Sequence, residues 1–247
     1  MIRLLRYIIF SLFLIACSAR FHVSEVKPTH YDTKSAKNDS ISLLNTLPYK
    51  TELDKDMSQV VAYSDSALTR DGFESSLGNF VLEAIENFTD SNRKDIGMNP
   101  VIILNRGGLR NNLPKGEITK GNIFEVMPFD NEIVFLKISG QKLMDCITAL
   151  LNEKKIISWN LSLTLEKNEP KNIFLYNGPF NINETYYVVT SDYLAQGGDN
   201  CSFFGKPVSY ETTGIKIRDA ILRYCESLTK KKQSIKPKKL GKIKISK

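Results

Sequence analysis

The hexapeptide Asn105-Arg106-Gly107-Gly108-Leu109-Arg110 directly follows a run of four apolar residues, Val101-Ile102-Ile103-Leu104. Such a short apolar run reads as a buried β-strand. A glycine pair straight after a strand lets the backbone turn sharply, and lets a ligand approach closely because no Cβ stands in the way. Asn105 and Arg110 add an amide and a five-donor cationic fork at the mouth of the turn, groups suited to phosphate or sugar oxygens. Taken alone, the six residues also describe a glycine-rich turn with two solvated polar ends.

Two further segments bear on that choice. Met127-Pro128-Phe129-Asp130-Asn131 precedes an alternating stretch, and Asp192-Tyr193-Leu194-Ala195-Gln196-Gly197-Gly198-Asp199 follows another. With the first, they resemble in order and spacing the patterns N-G-G-G-I-R, L-P-F-G-N and F/Y-x-A-x-G-G-D of the 5′-nucleotidase family's C-terminal domain. Glu74-Ser75-Ser76-Leu77-Gly78-Asn79 is similar to that family's E-x-N-L-G-N helix start. The resemblance covers about Val60 to Leu228.

A chain of 247 residues, 42% hydrophobic and 25% charged, can bury a sizeable core and fits one domain with tails. Residues 1–16 read as a targeting segment: Arg3 and Arg6 precede an apolar run, Tyr7 to Phe13, too short to span a bilayer. Leu14-Ile15-Ala16-Cys17 resembles a bacterial lipobox, which makes Cys17 the expected lipidated N-terminus and the bacterial cell envelope the expected location. An ordinary secretory signal with a coincidental cysteine is the alternative. Cys146, Cys201 and Cys225 remain, so at most one intrachain disulfide can form among them. Without a C-x-x-C or Cys/His cluster, structural zinc is not expected, and Cys146 on an apolar helix face reads as core packing.

Residues 17–56 are rich in Ser, Thr, Asn, Asp and Lys and read as a tether, with a short ordered piece around Ile41 to Leu47. Residues 229–247 hold nine lysines and no acid, and subtracting them from the formal +7 leaves −2 for residues 1–228. That end is expected to be a disordered, solvated arm, or to lie on anionic lipid. It has no aromatic residue for base stacking, which argues against nucleic acid.

Between the tails, residues 57–228 read as one domain. Val60 to Leu68 reads as a strand. A helix capped by Ser75 or Ser76 runs to about Phe88, with Leu77, Phe80, Val81, Ala84, Ile85 and Phe88 on one face. Thr119 caps a short helix ending at Val126. Glu132 to Ile138 is a strand in which Ile133, Phe135 and Ile138 compete for the buried side. Ser139 caps a helix over Gln141 to Leu151. Strands follow at Leu161–Leu165, Ile173–Tyr176 and Tyr186–Thr190, and a last helix runs from about Thr213 to Leu228. Irregularly mixed helices and hairpin-like strands indicate an α+β fold rather than a doubly wound parallel sheet. The resemblance implies a four-layer α-β-β-α packing.

The resemblance also implies roles. Phe129 and Tyr193 take opposite faces of a nucleobase, and Asp199 after Gly197-Gly198 takes the ribose diol. Asn105 meets a base edge over the Gly107-Gly108 turn, and Arg110 reaches the phosphate side. On residues alone, Phe129 and Tyr193 equally fit a core, and Asp199 a turn. The chain departs from the pattern in two places. Arg106 stands where the family has Gly, and Asp71 stands where it has a phosphate-side Arg, so that Arg70 lies one residue out of register. Both arginines are kept as phosphate-side candidates. In the family this domain serves a metallophosphatase domain holding two metal ions. Such a site needs several His, Asp and Asn ligands, whereas His22 and His30 are the only histidines here and both lie in the tether range. No catalytic residue or metal ligand is therefore expected on this chain. The expected function is the nucleotide-binding half of a 5′-nucleotidase-type hydrolase, acting with a separately encoded metallophosphatase that carries the divalent metal pair. A non-catalytic nucleotide- or nucleoside-binding lipoprotein and a structural envelope lipoprotein are the alternatives.

Overall fold

The computed structural model describes residues 23, 25–31, 39–72, 74–92, 100–152, 156–175, 178–201, 206–236 and 242–245. Cys17, the targeting segment and His22 lie outside the described residues. Among the described residues, no helix is long and apolar enough to cross a membrane. The chain divides into two compact units between Leu47 and Pro48.

In chain order the elements are α1 Ser40–Met57, β1 Val60–Ser64, α2 Ser76–Asn92, β2 Val101–Asn105, β3 Gly116–Thr119, α3 Lys120–Val126, β4 Glu132–Ser139, α4 Gly140–Asn152 and β5 Ile156–Trp159. Then come β6 Leu161–Glu166, β7 Glu169–Leu175, β8 Gly178–Pro179, β9 Thr185–Ser191, α5 Asp192–Ala195, β10 Ser209–Lys216, α6 Ile217–Lys230 and β11 Ile243–Ile245. The tether range thus ends in an eighteen-residue helix, α1, none of whose residues is buried. That corrects the expectation of a short ordered piece.

A five-stranded sheet in the order β10-β4-β9-β2-β5 carries the domain. Only the β2–β9 pairing in it is parallel. One face meets α2 and α6 through Ile102, Leu104, Ile133, Phe135, Ile157 and Val189. The other face presents Val101, Ile103, Val134, Leu136, Ile138 and Val188 to α4 and to the sheet β11-β6-β7-β8. Burial on both faces explains why β2 is unbroken in apolar residues from Val101 to Leu104 instead of alternating. It also resolves the competition within β4, since Ile133 and Phe135 enter one core while Ile138 enters the other. The α+β class holds, with helices on one side of the central sheet and a second sheet with α4 on the other.

Local signals set most boundaries. The Ser75 hydroxyl accepts from Gly78 N–H at 2.9 Å to cap α2, and Thr119 caps α3 in a reciprocal capping box with Asn122. Two further expectations fail. Thr213 to Lys216 belong to β10, paired with β4, so the last helix begins at Ile217. The end of the chain is not a disordered arm where it is described. The Thr229 hydroxyl donates to the Val61 carbonyl at 2.8 Å. Ile235 is buried, with its N–H on the Tyr63 carbonyl at 2.7 Å. Ile243–Ile245 adds a parallel strand to β6. The physical reason is that Ile-Lys-Ile alternates at the period of a strand edge, a pattern hidden by the lysine count.

Candidate functional site

The central sheet delivers three loops to one place. β2 ends at Asn105, whose extended backbone passes into a single 3₁₀ turn, Arg106–Gly108. Leu109 and Met127 are buried beneath the turn, and Arg110 N–H donates to the Val126 carbonyl at 2.8 Å. That bond ties the loop to the end of α3. A Cβ on Gly108 would stand 3.3 Å from Asn105 Oδ1, so the small residue leaves the amide room.

The second loop, Met127 to Asn131, is held from behind by Arg218 on α6. This buried guanidinium donates through Nη1 to the Met127 and Phe129 carbonyls at 3.2 and 3.3 Å, and through Nη2 to Asp130 Oδ1 at 2.5 Å. It also lies 4.2 Å from the centroid of the Phe124 ring. Lys216 Nζ takes the other Asp130 oxygen at 2.9 Å. Hydrogen bonds from Lys216 first and Arg218 second hold the Asp130 carboxyl below its ordinary value. The backbone on either side of Phe129 is thus pinned while the residue stays 36% exposed.

β9 leads into the third loop. Ser191 Oγ accepts from Leu194 N–H at 3.2 Å to cap the one-turn helix α5. Asp192 Oδ1 accepts from Tyr193 N–H at 2.7 Å and from Glu132 N–H at 3.0 Å, joining this loop to β4. Gly197 turns the chain at φ 98°, and Asp199 itself sits in the left-handed region at φ 48°. Gly198 lies under the Tyr193 ring so closely that an added Cβ would be 2.5 Å from ring carbons.

Asn105, Gly107, Gly108, Arg110, Phe129, Asn131, Tyr193 and Asp199 line one cavity of about 420 Å³. Asn105 Nδ2 donates to Asp199 Oδ2 at 2.6 Å across 94 residues of sequence. The Tyr193 hydroxyl donates to Asp199 Oδ1 at 3.2 Å and accepts from Asp199 N–H at 3.2 Å. The Arg110 guanidinium stands 5.0 Å from the centroid of Phe129. Two half-exposed aromatic rings, a carboxylate with both oxygens oriented, and a guanidinium suit a ligand that is flat at one end and carries hydroxyls and negative charge at the other.

Seven of the eight residues expected to bind substrate share the cavity, and Gly198 supports it from beneath Tyr193. Arg70 and Arg106 are not among the lining residues. Arg70 Nη1 donates to the Leu109 carbonyl at 2.7 Å and its N–H donates to Asn112 Oδ1 at 3.0 Å, so it buttresses the loop that carries Arg110. Asn105 spends one of its two amide N–H groups on Asp199, which fixes the amide and leaves its oxygen and one N–H to meet a base edge. Sequence reasoning missed Asn131, although it lies in a segment singled out above, and Arg218, which has no signal in an otherwise ordinary helix start. Among the described residues, no group of three or more His, Cys, Asp or Glu is placed to hold a metal ion.

Fold and site together define an α+β domain whose sheet-end loops form a single aromatic-walled, acid-floored cavity. The chain belongs to the 5′-nucleotidase, C-terminal domain family, whose profile matches residues 59–206. It is 27% identical over 220 residues to the trifunctional nucleotide phosphoesterase protein YfkN of Bacillus subtilis, covering 79% of this chain and 14% of that protein. It is 26% identical over 131 residues to a 5′-nucleotidase of Vibrio parahaemolyticus, covering 51% of this chain and 23% of the relative. Among solved structures, the 5′-nucleotidase precursor of Thermus thermophilus superposes with a TM-score of 0.71 at 21% identity, over 86% of this chain and 44% of that one. The NAD nucleotidase of Haemophilus influenzae gives 0.61 at 17% identity, over 85% and 42%. These likenesses establish the fold, and the chain spans less than half the length of each of these four proteins.

Proposed function

We propose that this chain is the nucleotide-binding half of a 5′-nucleotidase-type hydrolase. The observation that carries the reading is the convergence of Asn105, Phe129, Tyr193 and Asp199, from three loops, on one cavity. The base lies between Phe129 and Tyr193, and the ribose diol donates to the Asp199 carboxylate that Asn105 and Tyr193 already orient. Arg110 takes the phosphate side. Stacking on each ring contributes roughly 1–3 kcal/mol and tolerates any base, because every base has a π-face. The chain supplies binding and orientation. Phosphate removal falls to a separately encoded metallophosphatase chain that carries the divalent metal pair, and lipidated Cys17 holds the protein to the bacterial cell envelope.

Titration calorimetry with adenosine and its monophosphate tests the binding role. Phe129→Ala and Tyr193→Ala should each weaken both ligands by about 5- to 150-fold, the equivalent of 1–3 kcal/mol. Folded variants that bind like the wild type would remove the slot and leave a structural lipoprotein as the better reading. Labelled fatty acid incorporated by the wild type and lost in Cys17→Ser tests the anchor; equal labelling of both would refute it.

A further inference from the structure

We infer that Cys146 and Cys201 are a modification site, a dithiol pair that closes to a disulfide and pins the loop carrying Asp199. The two sulfurs lie 3.9 Å apart, both buried, and join residues 55 apart in sequence. Their pairing is selective. Both belong to the core between the central sheet, α4 and the second sheet, whereas Cys225 sits in the core on the sheet's other face. A disulfide needs its sulfurs about 2 Å apart, so side-chain rotation within a shared core has about 2 Å to close.

The position of Cys201 gives the bond a consequence. Its N–H closes the turn Gly198–Asn200 on the Gly198 carbonyl at 3.0 Å, and its sulfur lies 3.8 Å from the Asp199 carbonyl oxygen. The two residues before it, Asp199 and Asn200, hold φ of 48° and 60°, a conformation that L-residues rarely keep unsupported. Cys146 is on α4, a thirteen-residue helix embedded in that core. A bond between them anchors a strained surface turn to a rigid element.

The chemistry is thiol–disulfide exchange. Two thiols, Cys146 and Cys201, and one disulfide of a small-molecule or protein donor become one intrachain disulfide and two donor thiols. One thiolate attacks the donor, and the second displaces the donor's remaining sulfur. In the folded domain the Cys201 neighbour and burial raise the Cys146 thiol well above its ordinary value, so little thiolate is present and exchange belongs to folding or to opening of the loop. The bridge stands independently of the nucleoside reading; its bearing on ligand binding rests on that reading.

The test uses the full chain unfolded in urea, refolded in a reduced and oxidised glutathione mixture, alkylated and peptide-mapped without reduction. The peptides bearing Cys146 and Cys201 should be found joined, with Cys225 alkylated. Reduction should lower Tm by roughly 8–16 °C, the effect of opening a loop of that length in a domain of this size. Hydrogen exchange at the amides of residues 198–201 should quicken at least tenfold in the reduced protein, with no like change in α6. Alkylation of both Cys146 and Cys201 after refolding, or a bridge involving Cys225, would overturn the pairing. A bridge with unchanged exchange at 198–201 would overturn the pinning. Cys146→Ser and Cys201→Ser should each abolish the redox dependence of Tm, and Cys225→Ser should retain it. A redox-dependent Tm that survives in either of the first two would also refute the site.

Discussion

Gly198→Ala is the most informative single change at the cavity. The new methyl carbon would stand 2.5 Å from two carbons of the Tyr193 ring and 2.6 Å from a third. Carbon atoms pack at about 3.5–4.0 Å, so the ring must retreat by about 1 Å or more. Tyr193 is 44% exposed and can swing outward, which keeps the stability cost near 1 kcal/mol, the low end for overpacking. The ligand site has no such freedom. A shift of that size breaks the 3.2 Å bonds between the tyrosine hydroxyl and Asp199, and takes away one wall of the slot. The expected loss for adenosine is about 5- to 150-fold in Kd, the range for losing one stacked face. Calorimetry on Gly198→Ala, Tyr193→Ala and the double variant checks the cause: the second change should add almost nothing to the first, because both remove the same contact. A folded Gly198→Ala protein with wild-type affinity, or fully additive losses, would refute the reasoning.

Asp199→Ala should weaken adenosine far more than 2′,3′-dideoxyadenosine, while Arg110→Ala should penalise the monophosphate over the nucleoside by about 1.5–3 kcal/mol; calorimetry with the three ligands reads both. Glu86, half-buried and accepting from Trp159 Nε1, has its carboxyl raised above 4.5 chiefly by desolvation. A raised carboxyl stabilises the fold below its unfolded value and loses that contribution as pH rises through the folded value. Glu86→Gln should therefore be more stable than wild type at pH 7 in urea unfolding, with the gap closing near pH 4. Lys242 lies 4.0 Å over the ring of Trp159, the sole tryptophan, and its N–H and that of Ile243 donate to Glu74 Oε1. Deleting residues 242–247 should cost about 1–3 kcal/mol in denaturant unfolding and shift the tryptophan emission to the red. A tail with no structural role would change neither.

The parts of the fold visible in the sequence are those where the backbone must do something uncommon. A strand buried on both faces shows as the unbroken run Val101 to Leu104, and the turn that follows shows as a glycine pair. Gly197 and Gly198 mark a left-handed corner and a close approach to an aromatic ring, both of which exclude a Cβ. β10 was illegible because it is an edge strand, mostly exposed, so its residues carry no apolar alternation and Thr213 to Lys216 read as the helix they precede. Arg218 was illegible for a different reason. Its role lies in donating to carbonyls of residues about 90 positions away, and nothing local to Ile217–Lys230 encodes that. The same holds for Arg70, whose charge suggested phosphate but whose guanidinium is taken up by the Leu109 carbonyl.

The central claim is that the cavity of Asn105, Phe129, Tyr193 and Asp199 holds a nucleoside, and a crystal structure of the protein soaked with adenosine tests it most directly. The adenine ring should lie between Phe129 and Tyr193, with at least one ribose hydroxyl within about 3.2 Å of an Asp199 carboxylate oxygen. Adenosine bound away from this cavity, or an empty cavity at a concentration where calorimetry shows binding, would contradict it.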